Sequence, residues 1–522
     1  MARLPERPNF EHLKKQAKDL LRLYNAKDAT AFTRFRESLP AANGKDDAAI
    51  IAMGLALHDA QSCIAREYNL PSWEALRNHV DWRNSRLSKA RIDVVPLWLH
   101  MVYGHQEDRP EPLLAARAYD EEPELLEGEL FLACAVGDGD SVRRAIATDP
   151  SCVNQTGSQW RCPGCKEMLD MPPLVAVTHS SLLTLPQYRD GLRRCARLLL
   201  DNGADPNQSW KHGEHSLSAL YGAAGKNFDP ELTRMLLDAG AEPNDGESLY
   251  HSIDAPDHAC TRMLLEAGAR PELANAVAKQ LDHDDVERLR LILKYAQGVE
   301  DRELIWAIRR GRSAEHIALL LAAGANPQAR TKDGLSAYRY ALQCGLRDVA
   351  KLLEKAGAGE PLSIEERFVA ACAAADEHEA LQMLAAHPGI IGQLSESQLQ
   401  QLPELTEAGN HRAVRLMVEL GWPIAVRGGD WTASSLNLAV FQGNQALARF
   451  LLERGASWSE VHGFGGNVCG TLAWASRNKP DNDSIGCAQA LLDHGAPLLD
   501  VNDYYSEELE DFLSQERAKR SG

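Results

Sequence analysis

One short pattern of apolar and polar positions recurs along the chain, and it predicts the fold. Two or three apolar residues are followed by two variable positions, then by Gly-Ala, and in several copies by Pro or Asn, as in LLLDNGADPN at 198–207. The copies are about 33 residues apart, and the two widest gaps each span two units, the first of them divided at Gly298. The glycines of the pattern are Gly203, Gly240, Gly268, Gly324, Gly357, Gly421, Gly455 and Gly495.

Each position of this pattern has a physical reason. The leucine pair forms the buried face of a helix, and glycine ends that helix because it adopts the left-handed conformation without a Cβ penalty. The Pro or Asn that follows belongs to a turn leading into the next unit. The pattern therefore predicts the second helix of a repeated helix pair.

The most complete unit runs over residues 332–353. Ser336 is placed to cap a short first helix, Gly345 to end it, and Val349 and Leu352 to give the second helix an apolar stripe. This unit resembles the ankyrin repeat, although SAYR at 336–339 replaces the usual Thr-Pro-Leu-His. The resemblance implies an all-α solenoid of helix-turn-helix units, roughly eleven in number at this period.

The first 90 residues lack the Gly-Ala pattern. Asn9 is placed to cap a helix that reaches about Tyr24, a second helix is expected from Asp46 to about Tyr68, and Ser72 begins another. Residues 5–21 and 58–73 resemble the helical leader of a family of bacterial ankyrin-repeat proteins. The phrases at 248–252, 257–260 and 462–468 resemble that family as well, which implies a broad binding role. The stretch 61–76 also fits a helix-turn-helix, in which the second helix would contact DNA; a helical cap for the solenoid is the competing interpretation.

These patterns predict four segments. They are a helical N-terminal domain at 1–90, a helical connector at 91–127, the ankyrin array at 128–500, and a capping helix with tail at 501–522. A chain of 522 residues exceeds the roughly 250–300 residues of a single core, which agrees with an extended array.

The net charge and the cysteines limit the possible partners and the cellular compartment. A net charge of −18 argues against a general nucleic-acid binder, and we expect neither a membrane span nor a secretory signal. The odd number of cysteines, 11, and their positions in helices favour reduced thiols and a cytoplasmic location.

Two groups of residues could hold a metal. Cys162 and Cys165 form one Cys-x-x-Cys knuckle, which is half of a zinc site, a redox pair or an ordinary turn. His251, Asp254, Asp257 and His258 could form another, although loop polarity and local capping also explain them. No phosphate loop, dinucleotide fingerprint, nucleophile elbow or zinc-protease helix is present. We therefore expect no cofactor, no metal and no enzymatic activity.

The sequence instead predicts a scaffold or adaptor that binds a protein partner on the concave face of the array. Two alternatives stay open: a ligand- or metal-sensing protein or enzyme with a pocket at the 160–186 insertion, and a bacterial effector that acts on a host protein. The predicted partner-binding residues are Trp210, Tyr221, Tyr250, His251, Trp306, Arg309, Arg310, Tyr338, Trp431 and Trp474.

Overall fold

The computed structural model describes residues 4–5, 7–104, 110–156, 159–161, 169–213, 215–479, 481–497 and 505–521. The chain divides into two compact units, Met1–Ala274 and Asn275–Gly522. Both are built from short helices, and the strands described belong to small antiparallel pairs.

The N-terminal part of the first unit is a helical cluster without the repeat. Asn9 caps the first helix through His12 N, as predicted, and Ser72 caps a later one through Ala75 N. Leu13, Phe35 and Ile64 lie in its buried apolar core. The helices are Phe10–Asn25, Ala29–Ser38, Asp47–Ala52, Leu57–Glu67, Trp73–Ser88, Arg91–Tyr103 and Pro112–Glu121, with 3-10 turns at Pro40–Ala42 and Pro123–Leu126.

The prediction of a single helix from Asp46 to about Tyr68 was wrong, because one helix ends at Ala52 and the next begins at Leu57. Gly54 has a φ of 63° there, and the Leu55 amide donates to the Tyr24 hydroxyl at 3.1 Å instead of continuing a helix. These tertiary contacts end the first helix at a point that the apolar periodicity does not mark.

The rest of the first unit is a stack of helix pairs. First helices contact first helices of the next pair, and second helices contact second helices. The pairs are Leu130–Val136 with Gly139–Thr148, Pro173–His179 with Pro186–Asp201, Ala219–Tyr221 with Pro230–Asp238, and Ser248–Ser252 with Ala259–Glu266. Additional elements are 3-10 turns at Pro150–Asn154 and Ser181–Thr184, a π-helical turn at Gly222–Lys226, and a hairpin of Ser209–His212 and His215–Ser218.

The second unit continues the same arrangement. Its pairs are Ala276–Gln280 with Val286–Leu293, Asp301–Arg309 with Ala314–Ala322, Ala337–Gln343 with Arg347–Leu353, Ile364–Ala373 with Glu377–Ala386, Gln401–Glu407 with His411–Glu419, Ser435–Phe441 with Gln445–Glu453, and Val468–Asn478 with Ser484–Asp493. Shorter elements are Glu354–Ala358, Ile390–Gln393 and Glu396–Leu399, and strand Arg427–Gly428 pairs with Ala433–Ser434. The predicted fold class, an all-α solenoid of helix pairs, is confirmed.

The glycines of the repeat end helices as predicted. All eight adopt left-handed backbone, with φ between 84° and 100°. Gly298, which the period also marked, does not, because the preceding helix already ends at Leu293. In the other wide gap, between Gly357 and Gly421, Gly389 adopts left-handed backbone with a φ of 89°.

Asparagine side chains join successive turns. Asn207 donates from Nδ2 to the Gly240 carbonyl at 3.4 Å and accepts from the Glu242 amide at 2.8 Å. Asn154 holds the Gly203 turn in the same way, and Asn244 holds the Gly268 turn. In the second unit, Asn410 Nδ2 donates to Ala373 O and Asn482 Nδ2 to Phe441 O, both at 2.8 Å. We call these contacts the amide joints, and they explain why the repeated phrase ends in Asn.

The C-terminal helix Glu507–Ser521 buries Leu509 and Leu513 and packs on the helix Ser484–Asp493. A helix therefore packs against the last pair, with residues 498–504 outside the described part, and the capping segment at 501–522 stays a prediction. Among the described helices, none combines the length and the apolar character needed to cross a bilayer.

Replacing Asn207 measures how much its amide joint contributes to the free energy of unfolding. Asn207→Ala removes two hydrogen bonds between turns, so the free energy of unfolding should fall by about 1–2 kcal/mol. Asn202→Ala is the control, since Asn202 Nδ2 bonds only to Leu198 O of its own helix. In urea unfolding, Asn202→Ala should lower the free energy of unfolding by less than half as much as Asn207→Ala. Equal losses would mean that the amide joint contributes no more than a hydrogen bond within one helix.

Candidate partner-binding site

The predicted partner-binding residues fall into three clusters and two outliers. Tyr221, Tyr250 and His251 meet in the first unit, while Trp306, Arg309 and Arg310 meet in the second, as do Trp431 and Trp474 through a shared neighbour, Phe441. Trp210 lies in the hairpin opposite Leu217, and Tyr338 lies in the helix Ala337–Gln343. Both are half-buried and belong to none of the clusters.

Two arginines that lie against the ring of Trp306 form one wall of a cleft in the second unit. The Arg310 guanidinium carbon lies 4.2 Å from the centre of the Trp306 ring, and that of Arg309 lies 5.6 Å away. Asp282 holds both partners in place, because it accepts from Arg310 Nε at 2.9 Å and from Trp306 Nε1 at 3.1 Å. The stacked guanidinium and the indole therefore form a fixed surface.

The cleft itself has a volume of about 400 Å³, within the roughly 300–1000 Å³ of small-ligand sites. Its lining comes from two helices, their flanking turns and the turn between the two strands of the Arg427–Gly428 pair. Arg309 forms an ion pair with Asp430 across it. The lining residues are Asp282, Arg309, Arg310, Arg312, Glu404, Glu407, Ala408 and Asp430.

The carboxylates of this cleft are not fully compensated. Burial raises the pKa of Glu404; Arg309 opposes the rise, while Glu407 and Asp430 add to it. Burial also raises the pKa of Glu407, and Asp430 raises it further. Arg309 acts on all three carboxylates, and Arg310 also opposes the rise in the pKa of Glu407.

A row of aromatic rings has Trp431, the residue after Asp430, at its middle. In spatial order it consists of Phe464, His462, Trp431, Phe441 and Trp474, with ring centres 6.0, 5.1, 5.2 and 5.6 Å apart. We call this row the aromatic ladder. Its two ends are open to solvent, since Phe464 is 82% exposed and Trp474 is 53% exposed.

The middle of the ladder is held by its surroundings. Gly463 N donates to Trp431 O at 2.9 Å, which fixes the loop that carries Phe464. The Lys479 ammonium lies 3.8 Å from the centre of the Phe441 ring, and Phe441 stacks on Trp474 with an interplanar angle of 18°. The ladder is therefore an ordered apolar surface that abuts the charged cleft.

The aromatic cluster of the first unit packs successive helix pairs of that unit against one another. Tyr221 lies between His179 at 5.7 Å and His251 at 5.2 Å, each from a different helix pair. The His251 ring pairs with Glu247 at 3.2 Å. Burial raises the pKa of Tyr221 and lowers that of His179 to about 3. A partner-binding role for Tyr221, Tyr250 and His251 stays a prediction.

The candidate metal groups add no site to the described part of the chain. Within it, no three His, Cys, Asp or Glu side chains are arranged to hold a metal ion. Cys162 and Cys165 lie outside the described residues, as does part of the 160–186 insertion.

Sequence reasoning missed several residues of the cleft and the ladder. Asp282 lies in the run DHDD at 282–285, which carries no sequence signal for a binding role, yet its carboxylate accepts from Arg310 and Trp306. Glu404 and Glu407 are one helical turn apart, a weak signal that becomes meaningful only beside Arg309. Phe464 lies in a glycine-rich phrase, and a large apolar residue in such a loop was the available signal.

Comparisons with known proteins give a likeness of fold. The sequence matches no protein-family model, and no curated protein matches it. Among solved structures, the chain is similar to the human ASB11 ankyrin repeat domain, at 20% identity and a TM-score of 0.31. The match covers 45% of this chain and 100% of that one. The fold assignment rests on the helix pairs described above.

Glu404→Gln should leave the melting temperature at neutral pH unchanged or raise it. Because the pKa of Glu404 is raised on folding, its charged form costs stability above that pKa, and the cost vanishes below the ordinary glutamate pKa of about 4.3. Thermal unfolding at about pH 7 and about pH 4 measures this difference.

Glu303→Gln is the matched control for that experiment. Glu303 is more deeply buried than Glu404, and its carboxylate accepts from the Glu300 amide at 2.8 Å in the first turn of a helix. A negative charge is favourable at that end of a helix, so the neutral glutamine should lower the melting temperature. A larger loss at neutral pH from Glu404→Gln than from Glu303→Gln would contradict the electrostatic account.

Proposed function

We propose that the chain is a scaffold or adaptor that binds a protein partner, and that the second unit binds it through the charged cleft and the aromatic ladder. The observation that carries the proposal is the exposure of Phe464 and Trp474 at the ends of an ordered row of rings. Aromatic and arginine side chains dominate the binding energy of protein interfaces, and exposed apolar patches mark such interfaces.

The polar surroundings of the ladder fit the same role. Interface cores of this kind are bordered by charged groups that give orientation and specificity. Here Asp430 and Trp431 are consecutive, so the charged cleft borders the apolar row directly. The helix-pair array supplies a rigid support for both.

Cytoplasmic location is part of the proposal. The described cysteines are all free thiols, most of them buried, which suits a reducing compartment. Burial raises the pKa of the Cys63 and Cys372 thiols to about 12, so these thiols stay protonated and unreactive. We further propose that residues 1–90 form a helical domain that caps the array, which spans 128–500.

Phe464→Ala with Trp474→Ala should abolish partner capture. The double variant removes the exposed rings while leaving the buried core intact, so we expect at least about a tenfold loss of captured partner and an unchanged melting temperature. Affinity purification from a native lysate, followed by mass spectrometry, makes the comparison.

Leu381→Ala is the control, because Leu381 is 46% exposed but lies outside the ladder. It should retain the partner fully. A second double variant, Trp306→Ala with Arg309→Ala, tests the cleft in the same assay. If wild type and both double variants capture the same proteins in the same amounts, this face is not the binding surface.

A further inference from the structure

The cleft of the second unit carries an excess of negative charge at one end, and this excess points to the chemistry of the partner. This step rests on the proposed function. Glu404 and Glu407 lie one helical turn apart on the helix Gln401–Glu407 and line the cleft together with Asp430. The lining as a whole holds four carboxylates, with Asp282 as the fourth, against the three guanidiniums of Arg309, Arg310 and Arg312. The pKa of Arg309 is raised by Asp430, Glu404 and Glu407 against the effect of burial.

The arginines of the cleft are already engaged. Arg309 pairs with Asp430, and Arg310 donates to Asp282 at 2.9 Å. Arg312 donates from Nε and Nη2 to the Arg310 carbonyl at 3.1 and 2.8 Å. Because carboxylates outnumber guanidiniums four to three in the lining, a cation added to the cleft improves its balance of charge and an anion worsens it.

The cation that fits is an organic one. Within the described residues, no three acidic or metal-binding side chains converge closely enough to hold a metal ion. A lysine or arginine side chain needs no such convergence, since its long stem reaches a carboxylate pair through a cleft and packs on apolar groups along the way. The cleft volume of about 400 Å³ accommodates one such side chain.

The ladder extends the site beyond the cation. Its middle ring, Trp431, directly follows Asp430, and its two ends are the exposed rings of Phe464 and Trp474. We infer that the cleft receives a lysine or arginine side chain of the partner protein between Glu404 and Glu407, while apolar residues of the same partner segment lie on the aromatic ladder.

The groups around Glu404 set the pH dependence of this contact. Glu404 interacts electrostatically with Arg309, Glu407 and Asp430, and also with Tyr340 and Cys344, which lie two helix pairs earlier in the chain. Because burial of Glu404 and Glu407 favours their protonated forms, acidification discharges them before ordinary surface carboxylates. Affinity should therefore rise from acidic to neutral pH, and it should fall as salt is added.

A double-mutant cycle with defined peptides tests the inference. Random 12-residue peptides displayed on phage are selected against the full-length chain, and enriched sequences are made as fluorescein-labelled peptides. We expect enrichment of Lys or Arg beside apolar residues. Replacing that cation by norleucine should weaken binding about tenfold, and Glu404→Gln with Glu407→Gln should cost the same. The two changes together should cost little more than either alone.

The matched control is Glu377→Gln with Glu453→Gln, which removes the same charge from exposed positions outside the cleft. It should leave the affinity for the peptides within about twofold of the wild-type value. Peptides that bind through Phe464 and Trp474 without a preference for Lys or Arg would overturn the inference and leave the proposed function standing. Losses of affinity that add up in the double-mutant cycle would also overturn the inference and leave the proposed function standing. If no peptide is enriched, and the Phe464→Ala, Trp474→Ala variant captures the same lysate proteins as wild type, both fall.

Discussion

The amide joints set the geometry on which the other features depend. Each asparagine side chain bonds to backbone groups of a neighbouring helix pair, so consecutive pairs are held at one spacing. A fixed spacing aligns the first helices side by side. On the array built in this way, Arg309 and Asp430, which are 121 residues apart in sequence, meet in a single cleft.

The cleft and the core follow opposite rules. In the core, helix ends and caps satisfy polar groups, and apolar residues such as Phe368 and Leu402 are completely buried. In the cleft, carboxylates are partly buried around too few cations, which raises the pKa values of Glu404 and Glu407. Groups that weaken folding without contributing to packing are typical of binding sites, where the missing interaction is supplied by a ligand.

Much of the fold was predictable because its signals are local. The glycines of the repeat, the cap at Ser336 and the helix that starts after Asn9 each depend on a few neighbouring residues. The site was predictable only in part. Trp306, Arg309 and Trp474 were predicted from residue type, but Glu404 and Asp430 gain their role from contacts across more than 90 positions, which a single sequence does not encode visibly.

The amide joints also bear on how such a chain changes over time. Asn207 and Asn244 recognise only the main chain of the next turn, a carbonyl and an amide that every amino acid supplies. Neighbouring pairs therefore need not match each other side chain by side chain at these turns. Duplication, loss or exchange of a whole pair preserves the linkage as long as the asparagine comes with it, which leaves the outward-facing residues free to diversify toward new partners.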